Sequence, residues 1–403
     1  MTQQGFEVAD IFRSLDQVFL EQCGLFRSSE QRMAFRDITL CRTAELGGHV
    51  AECDSCGLRQ ISYNSCRNRH CPKCQAAARA AWMEERAAEL LPVEYFHVVF
   101  TLPHGIAPLA LQNQRVIYGT LFRAASETLL QIAADPKHLG AEIGVMAVLH
   151  TWGQNLSHHP HLHCVVTGGG LSADSSRWVS CRKGFFLPVK VLSRLFRGKF
   201  IGYLREAYAQ DELAFHGDLQ FLAEAHHFAR WLREMARQEW VVYAKRPFGG
   251  PAQVLKYLAR YTHRVAISNR RLVAFKDGMV TFGWKDYAHG NAQKQMTLPA
   301  VEFTRRFLLH VLPRGFVRIR YYGFLANRLR REKLALCKRL LGELKHDHVV
   351  PSGRPDESEP DPRQDSQVCP LCGLGHMIVV EQLEPRRALL AGPLMPIPRM
   401  DSS

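Results

Sequence analysis

The sequence predicts an α+β fold, in which an antiparallel sheet with flanking helices is preceded by a small zinc-binding module. Three observations support this prediction. Short apolar or alternating runs typical of strands are separated by long helical stretches. Five of the twelve cysteines fall close together near the N-terminus. The 403 residues are 46% hydrophobic, which is typical of a globular protein, and this length suits two or three domains.

The formal net charge of +14 predicts a polyanionic partner, and nucleic acid is favoured over an anionic membrane surface. No apolar run reaches the roughly 18 uncharged residues of a membrane span. The first residues lack the charged-then-apolar pattern of a secretory signal. We therefore expect a cytoplasmic protein whose cysteines are metal ligands or core thiols rather than disulfides.

A helical stretch rich in Ala, Glu and Arg follows the cysteines, and Pro92 is expected to end it. After it, predicted strands and helices alternate. We predict strands at 93–102, 142–152, 160–168 and 240–245, a strand–KDG turn–strand unit within 265–287, and helices at 107–134, within 188–238 and across most of 298–342.

Residues 350–367 are rich in Pro, Ser and acidic side chains and show no apolar period, so we predict a flexible linker. The expected domains are an N-terminal zinc-binding region at 1–92, a central domain at 93–345, and a tail at 346–403 made of this linker and a CxxC segment.

Two CxxC pairs predict a structural zinc site formed by Cys53, Cys56, Cys71 and Cys74. The pairs are separated by 14 residues, and each pair can present two thiolates to one tetrahedral Zn²⁺. Four nearby side chains could form a second closed site, namely Cys41, His49, Cys66 and His70.

The remaining cysteines carry weaker signals. Cys369 and Cys372 form half a site, which His346, His348 or His376 could complete. We interpret the rest as core thiols, namely Cys23, Cys164, Cys181 and Cys337.

Residues 158–164 read HHPHLHC, with four histidines in six positions, and a β-branched run and three glycines follow them. If 161–167 is a strand, its period of two places His161 and His163 on one face, with Cα atoms about 7 Å apart. Two such imidazoles can bind one metal ion. The motif therefore predicts a divalent-metal site on a strand.

The third ligand stays open at this point. His150, Trp152 and Gln154 share a face of the preceding strand, and a hairpin would bring that face beside His161. We favour Gln154, with Gln253 and then His159 as alternatives.

Downstream, Pro251 suits the first turn of a helix that carries Tyr257 and Tyr261 on one face. A parallel basic stripe is formed by Lys256, Arg260 and Arg264. A tyrosine hydroxyl, with a pKa of about 10, is a weak nucleophile. A divalent ion that polarises a phosphate would make its attack on a phosphodiester feasible. Imidazole ligands suit Mn²⁺ more than Mg²⁺, and either ion is expected to serve.

A basic segment at 314–339 adds a predicted DNA contact through Arg320, Tyr321 and Tyr322. Single-strand binders combine such positive charge with aromatic side chains on which bases stack.

Four stretches together resemble the HUH endonuclease superfamily and, more narrowly, the rolling-circle transposases of the insertion sequence 91 family. They are CRTAELGGHVAECDSCG, YNSCRNRHCPKCQ, HTWGQNLSHHPHLHCVVTGGGL and YLARYTHRVAISNRRL. The resemblance covers about residues 35–340. It implies a zinc-binding N-terminal region and an HUH endonuclease-like antiparallel sheet that carries a metal site. It assigns His161 and His163 to the metal, and Tyr257 and Tyr261 to nucleophilic attack.

The resemblance also implies an activity: nicking of single-stranded DNA through a 5′-phosphotyrosine intermediate. The expected partners are single-stranded DNA at the ends of the protein's own mobile element and target DNA, in a bacterial cell at the nucleoid. Two alternatives remain. One is a plasmid replication initiator or relaxase, against which the cysteine module argues. The other is a non-enzymatic zinc DNA-binding protein, against which the histidine pair and both tyrosines argue.

Overall fold

The structure is a computed structural model that describes residues 6–15, 17–22, 24–74, 86–87, 89–182, 187–245, 266–286, 290, 292–343 and 368–386. Its strands are β1 (Gly48–Cys53), β2 (Arg59–Tyr63), β3 (Tyr95–Thr101), β4 (Glu142–Trp152), β5 (His158–Leu171), β6 (Trp178–Ser180), β7 (Val242–Lys245), β8 (Leu272–Lys276), β9 (Met279–Asp286), β10 (Ala292–Pro299), β11 (Ile319–Gly323) and β12 (Met377–Leu383).

The α-helices follow the same chain order. They are α1 (Val8–Arg13), α2 (Gln17–Gln22), α3 (Ser29–Leu40), α4 (Ala107–Gln112), α5 (Gln114–Ala134), α6 (Val189–Ala209), α7 (Ala225–Arg237), α8 (Ala300–Leu308) and α9 (Arg330–Glu343).

A six-stranded antiparallel sheet forms the centre, in the order β11-β4-β5-β3-β7, with β6 paired to β5. The four strands predicted from the sequence are β3, β4, β5 and β7, and the predicted fold class is confirmed. The helices predicted at 107–134 and within 188–238 are also present, as α4 to α7. The segment at 298–342 differs from the prediction, because β11 lies between α8 and α9 and pairs with the edge of β4.

The two faces of this sheet differ in chemistry because side chains alternate along each strand. One face carries apolar residues such as Phe100, Leu162 and Leu149, and helices α5 to α7 cover it. We call the opposite face, which bears His161, His163 and Val165 of β5, the histidine face. The residues beside β5 on that face include Val148 and Tyr95.

Strand β5 is longer than predicted at both ends. It begins at His158, where its pairing with β4 is irregular, so Pro160, which has no N–H to donate, is tolerated there. It also continues through Gly168, Gly169 and Gly170 instead of ending at them. A Cβ atom on Gly170 would lie 2.2 Å from the carbonyl oxygen of Glu142, and one on Gly168 would lie 2.7 Å from that of Glu94. The glycines therefore allow neighbouring backbones to approach β5 closely.

A second antiparallel sheet, β10-β9-β8, contains the predicted hairpin, whose turn at Asp277 and Gly278 has positive φ angles. This sheet packs with α8, α1 and α3 in one hydrophobic cluster that also includes Trp152. The N-terminal region and the central domain therefore share a core at this point.

The described part of the tail pairs with the N-terminal region. Strand β12 pairs antiparallel with β1, and the resulting small sheet has the order β12-β1-β2. The predicted linker at 350–367 lies outside the described residues. Within the part of the chain that the structure describes, no helix is both long and apolar enough to span a bilayer.

We expect Gly170→Ala to lower the free energy of unfolding by about 2–3 kcal/mol, because the added methyl group meets the backbone of β4. Chemical denaturation measures the change. Gly119→Ala is the matched control, since Gly119 lies in α5 with nothing within 4 Å of an added Cβ, and a gain of up to about 1 kcal/mol is expected. Equal effects at both positions would contradict the close approach of β4 and β5.

Candidate metal centres and active site

Three histidines converge on the histidine face. His161 and His163 lie two residues apart on β5, and the β4–β5 register places His150 directly opposite His161. Each of the three histidines contributes one ring nitrogen, and these three nitrogens all lie within 4.8 Å of one another. Three imidazole nitrogens at this separation can hold one divalent cation between them.

Hydrogen bonds orient the two β5 histidines. His161 Nδ1 lies 2.7 Å from the carbonyl oxygen of His159, so this nitrogen carries the proton and donates it. His163 Nδ1 lies 2.7 Å from Nε2 of His97, a buried residue of β3. The Nε2 atoms of His161 and His163 face each other, 3.1 Å apart. The rings of His161 and His163 therefore direct their Nε2 lone pairs to the same point. Metal-binding histidines commonly have this arrangement, in which one ring nitrogen faces the metal and the other forms a hydrogen bond.

The electrostatics favour neutral imidazoles. Burial lowers the pKa of His161 to about 4. Burial, together with the charge of Lys245, lowers the pKa of His97 to about 4. Neutral rings are the form that binds a metal. His150 is buried and stacks on Trp152, with ring centroids 4.6 Å apart, which fixes its orientation.

Two of these residues were missed or ranked too low by the sequence analysis. His97 is a lone histidine within an apolar strand, and only the β3–β5 register shows that it lies diagonally across from His163. His150 was noted on the correct face, but Gln154 was preferred as the ligand. Gln154 lies in the loop after β4, where its carbonyl oxygen accepts a hydrogen bond from Arg271. Its role stays a prediction.

The predicted nucleophiles lie outside the described residues, as do Gln253, Lys256, Arg260 and Arg264. The residues on either side of this segment are described. Lys245 ends β7 and pairs with His97. Ala266 and Ile267 are buried in the cluster that contains Trp152.

The cysteines of the N-terminal region lie in two clusters, whose members differ from those of the predicted site and of the possible second site. The first cysteine cluster is Cys41, Cys66, Cys71 and Cys74. The second cysteine cluster is Cys53, Cys56, Cys369 and Cys372. In the first cluster, Cys74 Sγ lies 3.6 Å from Sγ of both Cys41 and Cys66.

The predicted grouping of Cys53 and Cys56 with Cys71 and Cys74 is wrong because the β1–β2 hairpin separates the two pairs. Cys53 and Cys56 lie at the turn of the hairpin, whereas the chain after β2 returns to the region of Cys41. A strand of six residues spans roughly 20 Å, too far for one zinc ion.

The two histidines proposed for a second site are not in either cluster. His49 lies within β1, paired with Ser62 and Gln382. His70 uses Nε2 to accept a hydrogen bond from the amide of Leu312, and its Nδ1 lies 3.3 Å from Asn68 Oδ1. His376 does not complete the tail site either, because Cys53 and Cys56 occupy that position.

The three predicted DNA contacts of β11 lie on opposite faces of the sheet. Tyr321 pairs with Met146 on the histidine face, and the guanidinium groups of Arg330 and Arg86 lie 5.1 and 5.9 Å from its ring centroid. Arg320 and Tyr322 face the helices instead, and Arg320 stacks on Phe122 at 4.2 Å. Of the three, only Tyr321 shares a face with the histidines.

This architecture defines an α+β protein with three converging histidines on an antiparallel sheet and cysteine clusters in its N-terminal region. Comparisons with known proteins agree with it. A family model described as "Putative transposase" matches residues 144–333, and one described as "Transposase zinc-binding domain" matches residues 11–102.

The chain is 57% identical over 384 residues to the "Putative transposase y4qJ" of Sinorhizobium fredii. The aligned residues cover 94% of this chain and 96% of the relative. It is 30% identical over 292 residues to the "Transposase for insertion sequence element IS801" of Pseudomonas savastanoi pv. phaseolicola, covering 72% of this chain and 68% of that one. The chain therefore belongs to the transposases of the insertion sequence 91 family.

Among solved structures, the conjugative relaxase TrwC in complex with oriT DNA is similar in part. Its metal-bound form gives a TM-score of 0.26 at 16% identity, over 44% of this chain and 67% of that one. Its metal-free form gives 0.24 at 14% identity, over 41% and 71%. Overlaps at this level do not define a fold.

The burial of His310, which lies outside the three-histidine cluster, predicts that the fold is sensitive to acid. His310 lies between Thr151 and the carbonyl oxygen of Leu156, and burial lowers its pKa to about 4. Its folded pKa is thus below the unfolded value of about 6.5. The stability that His310 contributes is present above about pH 6.5 and is lost as the pH falls towards 4.

We expect His310→Gln to reduce the loss of unfolding free energy between pH 7.5 and 5.5 by about 1.4 kcal/mol. Urea unfolding of the metal-free protein at both pH values measures this difference. His138→Gln is the control, because His138 is exposed and should leave the pH dependence unchanged. If His310→Gln shows the same loss as the wild type, burial does not hold His310 neutral.

Proposed function

We propose that this protein cuts single-stranded DNA and transfers it through a 5′-phosphotyrosine intermediate, in rolling-circle transposition of its own insertion sequence. The observation that carries the proposal is the convergence of His150, His161 and His163 on one face of the sheet. A transposase that only bound DNA would have no need for three imidazoles whose ring nitrogens converge on one point.

The ligand set indicates which ion the site takes. Mg²⁺ prefers oxygen ligands, whereas imidazole suits Mn²⁺ and later transition metals. We therefore propose Mn²⁺ ahead of Mg²⁺ at this site, with His150 as the third ligand in place of Gln154. When bound there, the cation would polarise the scissile phosphate and offset the charge that develops on it.

Tyr257 and Tyr261 are the proposed nucleophiles. In each transfer a tyrosine oxygen attacks phosphorus, the bond from phosphorus to the 3′ oxygen breaks, and that oxygen leaves as a 3′-OH with the proton from the tyrosine. The tyrosine ester keeps the energy of the broken bond, so the strand can be joined to another 3′-OH without ATP. The two nucleophiles would allow two successive transfers. The pairing of Lys245, the last described residue before this segment, with His97 supports this role.

The proposed DNA path follows the histidine face. Tyr321 offers an aromatic ring between Arg86 and Arg330, and α9 adds Arg331 and Lys338 along the adjoining groove. Aromatic rings stack bases while cations neutralise phosphates. Lys256, Arg260 and Arg264 stay proposed contacts. We place a structural Zn²⁺ in the first cysteine cluster, in line with the zinc-binding domain that matches there.

His97 is a proposed positioning residue, because its Nε2 accepts from His163 Nδ1 and so orients His163 Nε2 towards the cation. We expect His97→Phe to weaken Mn²⁺ binding by about 10–100-fold. His97→Gln should restore most of the affinity, since its amide oxygen can accept the same bond. Calorimetric titration measures both values, with a thermal melt to confirm folding. Wild-type affinity in His97→Phe would remove this role.

The proposed reaction predicts a covalent protein–DNA adduct. Purified protein with Mn²⁺ and single-stranded oligonucleotides from both strands flanking its gene should give an adduct on a denaturing gel. We expect His161→Ala and His150→Ala to abolish it, and Gln154→Ala to retain it. Loss of the adduct in Tyr257→Phe or Tyr261→Phe names the first nucleophile.

Tyr63→Phe is the matched control, since Tyr63 is an exposed tyrosine of β2 away from the histidine face. An adduct that persists in the Tyr257→Phe/Tyr261→Phe double variant would exclude these nucleophiles. Tight binding of the same oligonucleotides without any adduct would favour a non-enzymatic zinc DNA-binding protein.

A further inference from the structure

The two ends of the chain carry the same short motif. CDSCGL at 53–58 and CPLCGL at 369–374 both follow the pattern Cys-x-x-Cys-Gly-Leu. Their backbones also match. Gly57 has a φ of 70° and Gly373 has a φ of 65°. Each glycine N–H donates to the carbonyl oxygen of the first cysteine of its motif, over 3.0 Å in both cases. The two motifs therefore form the same turn, which we call a knuckle.

The four sulfur atoms have the spacing of a metal site. Cys53 Sγ lies 3.8 Å from Cys372 Sγ, and Cys56 Sγ lies 3.6 Å from Cys369 Sγ. A disulfide would need about 2.0 Å. Four thiolates around a tetrahedral Zn²⁺, each at about 2.3 Å, lie about 3.8 Å apart. The observed distances match the second case.

Hydrogen bonds from backbone amides favour the thiolate form of these cysteines. Within the knuckles, the amide of Cys56 donates to Cys53 Sγ at 3.5 Å, and that of Gly375 donates to Cys372 Sγ at 3.4 Å. The amide of Leu371 donates to Cys369 Sγ at 3.4 Å. Hydrogen bonds to the charged form favour it, so the amides stabilise thiolates that would otherwise repel one another.

Hydrophobic burial does not account for the attachment of the tail. Most side chains of β12 are exposed, and Leu371 and Leu374 at the knuckle are 71% and 81% exposed. Among the residues that the structure describes, none from 368–386 belongs to a hydrophobic core cluster. A short exposed strand is marginally stable on its own in water. Hydrophobic burial therefore does not hold the tail in place, and its pairing with β1 needs a further stabilising interaction.

The knuckles also contact each other directly. The amide of His376 donates to Asp54 Oδ1 over 2.8 Å, and the amide of Asp54 donates to the carbonyl oxygen of His376. A Cβ on Gly375 would lie 2.6 Å from Cys53 Sγ, so only glycine fits there without movement. These contacts fix the two cysteine pairs face to face.

We propose that the second cysteine cluster binds a Zn²⁺ ion that fastens the C-terminal tail to the N-terminal module. The three strands β12, β1 and β2 and the two knuckles then form one zinc ribbon whose halves lie at opposite ends of the chain. The matched zinc-binding domain ends at residue 102, so it contains only half of this site. The proposal does not depend on the proposed DNA cleavage.

The first test counts cysteine-bound metal in the full-length protein loaded with Co²⁺, which gives a thiolate charge-transfer band that a histidine site lacks. We expect the Cys369→Ser/Cys372→Ser variant to lose about half of this absorbance, because the first cysteine cluster remains. The matched control, Cys181→Ser, should keep all of it, since Cys181 lies in neither cluster. An unchanged absorbance in the double variant overturns the proposal.

A second test keeps every cysteine. A specific protease site is inserted after Pro355, the zinc-loaded protein is cut, and the fragments are separated by size exclusion. We expect the tail fragment to remain with the rest of the protein, and to leave it when a chelator removes the zinc. Separation in the presence of zinc, or persistence after the metal has been removed and assayed as absent, contradicts a zinc attachment.

Discussion

The antiparallel pairing of β4 with β5 is the interaction on which the rest of the structure depends. It places His150 opposite His161 on one face and Leu149 opposite Leu162 on the other. Because side chains alternate along a strand, a slip of one residue would send the histidines into the helix-covered core and the leucines to the histidine face. The same two strands support β3, which supplies His97, and β11, which supplies Tyr321. One register therefore sets the core, the proposed metal ligands and the proposed DNA path together.

The histidine site holds polar rings close together with little loss of folding free energy. A buried polar group without a partner destabilises the fold, so each ring nitrogen that does not face the cluster centre requires a partner. His161 uses a carbonyl oxygen of its own strand, and His163 uses His97 from the neighbouring strand. Burial then keeps His161 neutral by lowering its pKa to about 4. The same desolvation that favours metal binding at neutral pH makes the fold vulnerable to acid.

The N-terminal module depends on a similar geometric constraint. The β1–β2 hairpin holds its two cysteine clusters apart, one at its turn and one where the chain returns to Cys41. Such a small sheet has little core of its own, and structural metals commonly supply the missing stability in small modules. The module nevertheless does not stand alone. Its helices α1 and α3 share a hydrophobic cluster with Trp152, which stacks on His150, so this side chain is one link between the N-terminal region and the histidine site.

The sequence by itself determined four of the six strands of the central sheet and the strand face on which the site lies. Period-two patterns located β3, β4, β5 and β7. The His-Leu-His sequence placed His161 and His163 on one face, because alternation along a strand is a local property. The CxxC pairs were also evident, since two cysteines with two residues between them form a local pattern. Only the tertiary structure decided the partners across strands. It joined His150 and His97 to the motif, divided the cysteines between two clusters, and brought Cys369 and Cys372 from the far end of the chain to Cys53 and Cys56. Tyr321 and Tyr322 likewise adjoin in sequence but lie on opposite faces. Such pairings depend on strand register and on the path of the chain between distant segments, which no local pattern encodes.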